Sequence, residues 1–282
     1  MMLTTPIKIR TLQRKLYIKA KQEPGYRFYA LYDKIWRADV LTFAYRLVRA
    51  NNGSPGVDGQ TFDALEQTIG VEMFLLDLTR DLKAKTYGPD AVRRVMIPKG
   101  DGSMRPLGIP TIRDRVAQMA VKLIIEPIFE ADFCDSSYGF RPKKSAHQAV
   151  ADIRANLFRG YSNVIDADLS KYFDSIPHAK LLAVVAERIV DGEILHLIKL
   201  WLKAPVIRDD KGKKTHVGGG KANSRGTPQG GIISPLLANC YLHILDRVWE
   251  RQGLRKKYKA HIVRYADDFV VLCKGGVEKP LA

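Results

Sequence analysis

The sequence predicts an α+β fold in which helices lie ahead of, and pack on, a small antiparallel sheet. Three observations predict it. Two β-prone runs, residues 262–266 and 269–273, enclose Asp267 and Asp268 and read as a hairpin with both aspartates at its tip. A third run, residues 161–169, alternates so that Asp166 and Asp168 share one face. Ahead of both, apolar residues recur at helical spacing behind recognisable capping residues.

Taken in order, a helix is expected over residues 33–50, ending at Asn51-Asn52-Gly53. The turn-rich loop 53–59 follows, then a strand over Val92–Pro98 and a turn over 99–103. Helical spacing returns at Val116, Met119, Ala120, Leu123 and Ile124 and should stop near Pro127. Ser145 and Gln148 form a capping-box pattern for a helix closed by Gly160. Helices over 181–189 and 194–202 precede a basic hairpin within 206–217 and the flexible Gly218-Gly219-Gly220. Ser234-Pro235 then opens a helix running to Arg251.

Charge narrows the function classes. Lys+Arg 46 against Asp+Glu 30 gives +16, a balance that suits a polyanionic partner. Residues 1–50 carry eleven basic residues against three acids, and Arg247–Arg264 seven against Glu250 alone. Two such blocks flanking a carboxylate site suggest a phosphate-backbone track, with Lys15, Lys19 and Lys21 as RNA-binding candidates. Cys134, Cys240 and Cys273 are scattered, which fits a reduced, cytoplasmic setting and argues against a disulfide framework or a zinc site. No apolar run is long enough for a membrane span. The acid-free first 22 residues superficially resemble an organellar transit peptide, though an RNA-binding arm explains them as well.

The chemistry sits in the carboxylates. Aspartate is disfavoured inside a strand unless something there needs it. Asp166 and Asp168 beside a hairpin bearing Asp267 and Asp268 could clamp two divalent cations about 3.5–4 Å apart, the arrangement phosphoryl transfer uses. An Asp-Asp hairpin without glycine also breaks the usual turn rule, as functional sites do.

Residues 168–174 (DLSKYFD) and 265–268 (YADD) resemble the A and C motifs of reverse transcriptases. Residues 98–110 (PKGDGSMRPLGIP), 137–147 (SYGFRPKKSAH) and 225–231 (RGTPQGG) resemble the family's fingers block, the block after it and motif B. With Pro55-Gly-Val-Asp-Gly59 upstream, the wording is similar to that of group II intron-encoded reverse transcriptase/maturases over roughly residues 40–275.

The resemblance implies a right-hand polymerase fold: a basic extension and fingers over 1–160, and a palm over 161–282 with a basic hairpin near 206–222. It implies catalytic and metal-binding roles for Asp168, Asp267 and Asp268, with Asp166 outside that triad in a supporting place. Lys99 and Arg105 would hold the incoming triphosphate, Phe173 would exclude a ribose 2′-hydroxyl, and Gln229 would lie near nucleotide and template base.

Two Mg²⁺ ions, with Mn²⁺ as a substitute, are the implied cofactors. The implied partners are group II intron RNA, an RNA template with a DNA primer, dNTPs and no membrane. The sequence ends soon after the hairpin, so fingers and palm without a thumb are expected, with weak synthesis. A homodimer through the surface a thumb would cover is a further expectation. Alternatives are a non-catalytic RNA-binding splicing scaffold, or a retron-type or diversity-generating reverse transcriptase.

Overall fold

A computed structural model describes residues 3–275 apart from 99, 101, 211, 212 and 229. Five helices come first: α1 (Ile7–Gln22), α2 (Tyr32–Ile35), α3 (Ala38–Ala50), α4 (Phe62–Thr68) and α5 (Val71–Lys83). Strands β1 (Val92–Pro98) and β2 (Met104–Ile109) lead to α6 (Ile112–Glu130), α7 (Ala146–Phe158) and β3 (Asn163–Asp168). Next come α8 (Tyr172–Ser175), α9 (His178–Ala186), α10 (Gly192–Leu202), β4 (Val206–Asp210) and β5 (Lys213–Gly218). The chain continues through α11 (Ser234–Arg251), α12 (Leu254–Lys257), β6 (Ala260–Tyr265) and β7 (Asp268–Cys273).

These elements form two compact units that interleave in sequence, residues 1–131 with 173–234 and residues 132–172 with 235–282. The units trade chain at residues 131/132, 172/173 and 234/235, and β3 pairs with the distant β7 rather than with any strand near it in sequence.

The first unit is built around α6, which packs against α1 and α3. Ile9, Leu16 and Ala20 of α1, Leu41, Ala44 and Val48 of α3, and Val116, Ala120 and Ile124 of α6 are all buried. The helix expected over 33–50 is two: Arg37 is extended at the start of α3, where its guanidinium grips Asp39 at 2.7 Å.

Pro127 does not stop α6, which runs on to Glu130. A proline inside a helix leaves the carbonyl four residues back without its donor. Here that carbonyl, on Leu123, accepts instead from the Gln13 side-chain amide at 2.9 Å. The missing donor is supplied from another helix, so the break is repaired.

The same unit holds a sheet ordered β2-β1-β4-β5. β1 pairs antiparallel with β2 and parallel with β4, so the expected basic hairpin β4–β5 is an extension of this sheet rather than a free insertion. The loop 53–59 ties these parts together. Arg93 of β1 donates twice to the Pro55 carbonyl, at 3.0 and 2.7 Å, and Lys214 of β5 donates to that of Val57 at 3.3 Å. A Cβ on Gly56 would lie 2.7 Å from Thr111 Cα at the head of α6, so only glycine fits that approach.

In the second unit β3, β7 and β6 form an antiparallel sheet with β7 in the middle. One face, with Val263, Val270 and Leu272, packs on Ala149 and Ile153 of α7. The other, with Ile262, Val271 and Cys273, packs on Leu245 and Trp249 of α11 and Leu254 of α12. Ser145 caps α7 as expected, accepting the Gln148 N–H at 3.3 Å.

Replacing Gln13 with Ala should leave α6 with an unmet carbonyl, costing about 1–3 kcal/mol in urea unfolding. Adding Pro127→Ala to that variant restores the intrahelical donor, and should recover most of the loss.

Candidate active site

The hairpin is built differently from its sequence reading. Tyr265 pairs directly with Asp268, so the two-residue loop is Ala266-Asp267 and Asp268 is the first residue of β7. Only Ala266 of these two has a positive φ, +58°, the sign pattern of a turn that normally takes glycine first. A β-carbon in the left-handed region costs of order 1 kcal/mol and persists where surroundings enforce it.

Those surroundings centre on Arg264, which is fully buried. Its Nε and one terminal nitrogen grip the Asp246 carboxylate at 3.0 and 2.5 Å. The other terminal nitrogen donates to the Ala266 carbonyl at 2.8 Å and to Asn239 Oδ1 at 3.1 Å. Asn239 in turn donates to the Gly139 carbonyl at 2.8 Å. Gly139 lies against the Ala266 backbone so closely that any Cβ there would collide with it. Residues 136–138 run alongside β6, exchanging backbone hydrogen bonds with Arg264 at 2.8 Å each.

The hairpin tip is therefore clamped from α11 and from the segment 136–139. Burial alone would push the Asp246 carboxyl up, but His243 and Arg264 beside it hold it below the usual carboxylate range.

The clamp fixes the carboxylates. In β3–β7 pairing Asp168 stands directly opposite Asp268, and Asp166 opposite Val270. Period-2 alternation then puts Asp166, Asp168 and Asp268 on the α7 face, with Asp267 in the adjoining loop. Asp166, Asp168 and Asp268 are exposed and Asp267 is half-buried. Partial burial first, then the charges of Asp267, Asp168 and Asp166, push the Asp268 carboxyl up. Asp268 thus stands amid the charge of three other carboxylates, a concentration of negative charge that a hard cation would relieve.

Among the described residues no three His, Cys, Asp or Glu side chains are drawn together into a ready metal cage. The donor set is all oxygen, which suits Mg²⁺, Ca²⁺ or Mn²⁺ and argues against zinc or copper. An apolar hollow of about 170 Å³ adjoins the carboxylates, lined by Ala149, Val150, Ile153 and Val270 with Asp166 and Asp268 at its edge.

The remaining site residues read from sequence lie in the first unit. Arg105 is exposed on β2, across from Ile97 of β1. Phe173 is 7% exposed, and its carbonyl accepts the Thr227 N–H at 2.8 Å. The Arg225–Gly231 loop thus runs beside Phe173, and Gly230 abuts the Gly108 carbonyl of β2 too closely for any Cβ. Lys99 and Gln229 lie outside the described residues.

On α1, Lys15 is exposed, whereas Lys19 pairs with Glu23 at 2.6 Å and sits over the Tyr26 ring. Lys21 donates to the Ala131 carbonyl at 2.9 Å. Arg10 and Arg14, passed over in the sequence reading, are exposed on the same helix.

The family model for reverse transcriptase (RNA-dependent DNA polymerase) matches residues 97–281. The chain belongs to the reverse transcriptase family. It is 36% identical to protein YkfC of Escherichia coli strain K12, over 95% of this chain and 76% of that protein. It is 38% identical to the group II intron-encoded protein LtrA of Lactococcus lactis, over 78% of this chain and 35% of LtrA. An uncharacterized 91 kDa protein in a Schizosaccharomyces pombe cob intron is 34% identical, over 82% of this chain and 27% of that protein.

The reverse transcriptase fold recurs in a solved partial Cas6-RT-Cas1–Cas2 complex, with a TM-score of 0.50 and 22% identity over 87% of this chain and 38% of that one. The expected membership of the group with intron-encoded relatives, and the antiparallel sheet packed on helices, both stand. No helix among the described residues is long and apolar enough to cross a membrane.

Removing Arg264 should be costly, because Asp246 would keep its burial and lose its partner. Arg264→Met is expected to destabilise the protein by about 3–5 kcal/mol in chemical unfolding. The pH response should also change. With the folded carboxyl below its unfolded value near 3.9, the Arg264–Asp246 contribution is complete above about pH 4 and fades on further acidification. In the Met variant burial favours the protonated acid, so acidification towards pH 4 should now stabilise, as melting curves across pH would show.

Proposed function

We propose that the chain is the polymerase domain of a group II intron-type reverse transcriptase, an RNA-directed DNA polymerase whose parent protein also binds intron RNA to assist splicing and mobility. The observation that carries this reading is the direct cross-strand pairing of Asp168 with Asp268, beside Asp267, on a sheet clamped by Arg264. Divalent cations held by Asp168, Asp267 and Asp268, Mg²⁺ foremost with Mn²⁺ as a substitute, would supply charge neutralisation at the attacking and leaving oxygens.

The protein's own groups do the rest. Lys99 and Arg105 hold the triphosphate, a point charge and a fork that both suit phosphate oxygens. The Phe173 ring lies under the incoming sugar and leaves no room for a 2′-hydroxyl, which selects dNTPs. Gln229 and the glycines around it let backbone and amide approach the paired bases. Asp166 adds negative charge beside the triad and positions it.

RNA binding is supported separately by α1, where Arg10, Arg14 and Lys15 are exposed. The setting that fits is the cytoplasm of a bacterial host. The chain spans 76% of YkfC and 35% of LtrA, so these activities are proposed for the protein to which it belongs.

Primer extension on an RNA template tests the assignment. Asp267→Ala should reduce incorporation to background while RNA binding, read by fluorescence anisotropy, is kept. Incorporation at wild-type rate in that variant would sink the triad. Neutralising Arg10, Arg14 and Lys15 should do the reverse, weakening RNA binding and lowering its salt slope by about one for each phosphate no longer neutralised.

A further inference from the structure

To reject a hydroxyl on a sugar, the Phe173 ring must keep its place closely, yet its own element secures it poorly. Phe173 lies in α8, a single turn of four residues. A helix that short does not hold itself together, so its position is set by what it is bonded to.

Its neighbour in the first unit is the segment 224–227, which runs antiparallel to 173–178 with Pro177 bridged to Arg225. Thr227 donates its N–H to the Phe173 carbonyl at 2.8 Å, and Gly226 donates to that of Ile176 at 2.8 Å. His178 donates its own N–H to the Ser224 carbonyl at 2.9 Å. The lacing depends on residue 226, which has φ +88° and lies so near Asp174 that a Cβ would stand 3.1 Å from its carbonyl oxygen. Glycine alone takes that conformation without strain.

A side chain meets the Gly226 carbonyl. His178 Nε2 lies 2.7 Å from its oxygen. A carbonyl only accepts, so Nε2 carries the proton. The other ring nitrogen is buried and has no hydrogen-bond partner among the described residues, so the whole polar capacity of the ring in use goes to Gly226. The mounting is firm as well. His178 is the first residue of α9 and 5% exposed, and Leu181 and Val185 of the same helix are fully buried.

We propose that His178 is a positioning residue for sugar selection. It holds Gly226 in its left-handed turn, Gly226 carries Thr227, and Thr227 holds the Phe173 backbone at a fixed height beneath the incoming sugar. Without the Nε2 donor the segment 224–227 loosens, the Phe173 ring yields, and ribonucleotides enter beside deoxyribonucleotides. This rests on the polymerase reading with Phe173 as the excluding ring, and adds the group that keeps that ring in place.

The test is single-nucleotide primer extension by the 282-residue chain on an RNA template, with kcat/KM measured for a dNTP and for the matching rNTP. His178→Phe keeps a ring and removes the donor. It should lower the dNTP-over-rNTP ratio roughly tenfold, the effect of one lost hydrogen bond. His178→Gln, whose amide nitrogen can stand where Nε2 stands, should restore most of the ratio. Phe173→Val is the reference and should admit rNTPs by itself. Circular dichroism melts report whether each variant is folded. Should His178→Phe fail to fold, His178→Asn, whose amide is too short to reach Gly226, takes its place.

A ratio unchanged in the variant without the donor, even with both rates lowered together, overturns the role of His178. So does a ratio as low in His178→Gln as in that variant. If Phe173→Val still admits rNTPs in either case, the excluding ring stands and only its support falls. A wild-type chain that incorporates neither nucleotide, with Asp267→Ala no different, overturns the polymerase reading and this inference together.

Discussion

One buried guanidinium holds the carboxylate site in shape. Arg264 lies in a strand whose other inward residues are apolar, and it spends its donors on Asp246, Asn239 and the carbonyl of Ala266. An ion pair this deep gains little net stability over a hydrophobic substitute, because desolvation consumes most of the attraction. Its return is geometric. It reaches two residues ahead along its own chain and fixes a turn that backbone preference would not choose, and that turn decides where Asp267 and Asp268 stand. The strain at Ala266 and the absence of a side chain at Gly139 follow from the same demand.

A second constraint works in the first unit through closeness rather than charge. Gly56 at the head of α6 and Gly230 on Gly108 are places where two backbones meet with no room for a Cβ, and Gly226 approaches Asp174 nearly as closely. Three segments far apart in sequence are thereby held together by what their residues lack. The turn-rich loop 53–59 is a fastener in this sense. Its carbonyls at Pro55 and Val57 take donors from β1 and β5, and its Gly56 fits against Thr111.

The sequence was legible where the physics is local. The strand Val92–Pro98 and the helix Ser234–Arg251 fall where alternation and capping residues put them. Asp166 and Asp168 share a face because a strand leaves no other option. What escaped was set by distant partners. Pro127 reads as a helix stop until Gln13, more than a hundred residues earlier, supplies the missing donor. The hairpin reads as turning on Asp267-Asp268 until Arg264 and Gly139 fix it one residue earlier, and Arg264 itself counted only as one more member of a basic block. An arginine amid valine and isoleucine, two residues before a turn lacking glycine, was the available signal.

The N-terminal helix looked in sequence like a loose basic arm, and its anchoring gives it a mechanical character. Gln13 is bonded to the Leu123 carbonyl and Lys21 to that of Ala131, so the middle and the end of α1 are both pinned along the C-terminal half of α6. Ile9, Leu16 and Ala20 seal the space between. A tether would let the protein move freely beneath whatever it held. A splint does not: a pull on the outward face of α1 passes straight into the central helix of the first unit, and through Thr111 into the loop and sheet stacked at its other end. Helix and framework are one piece.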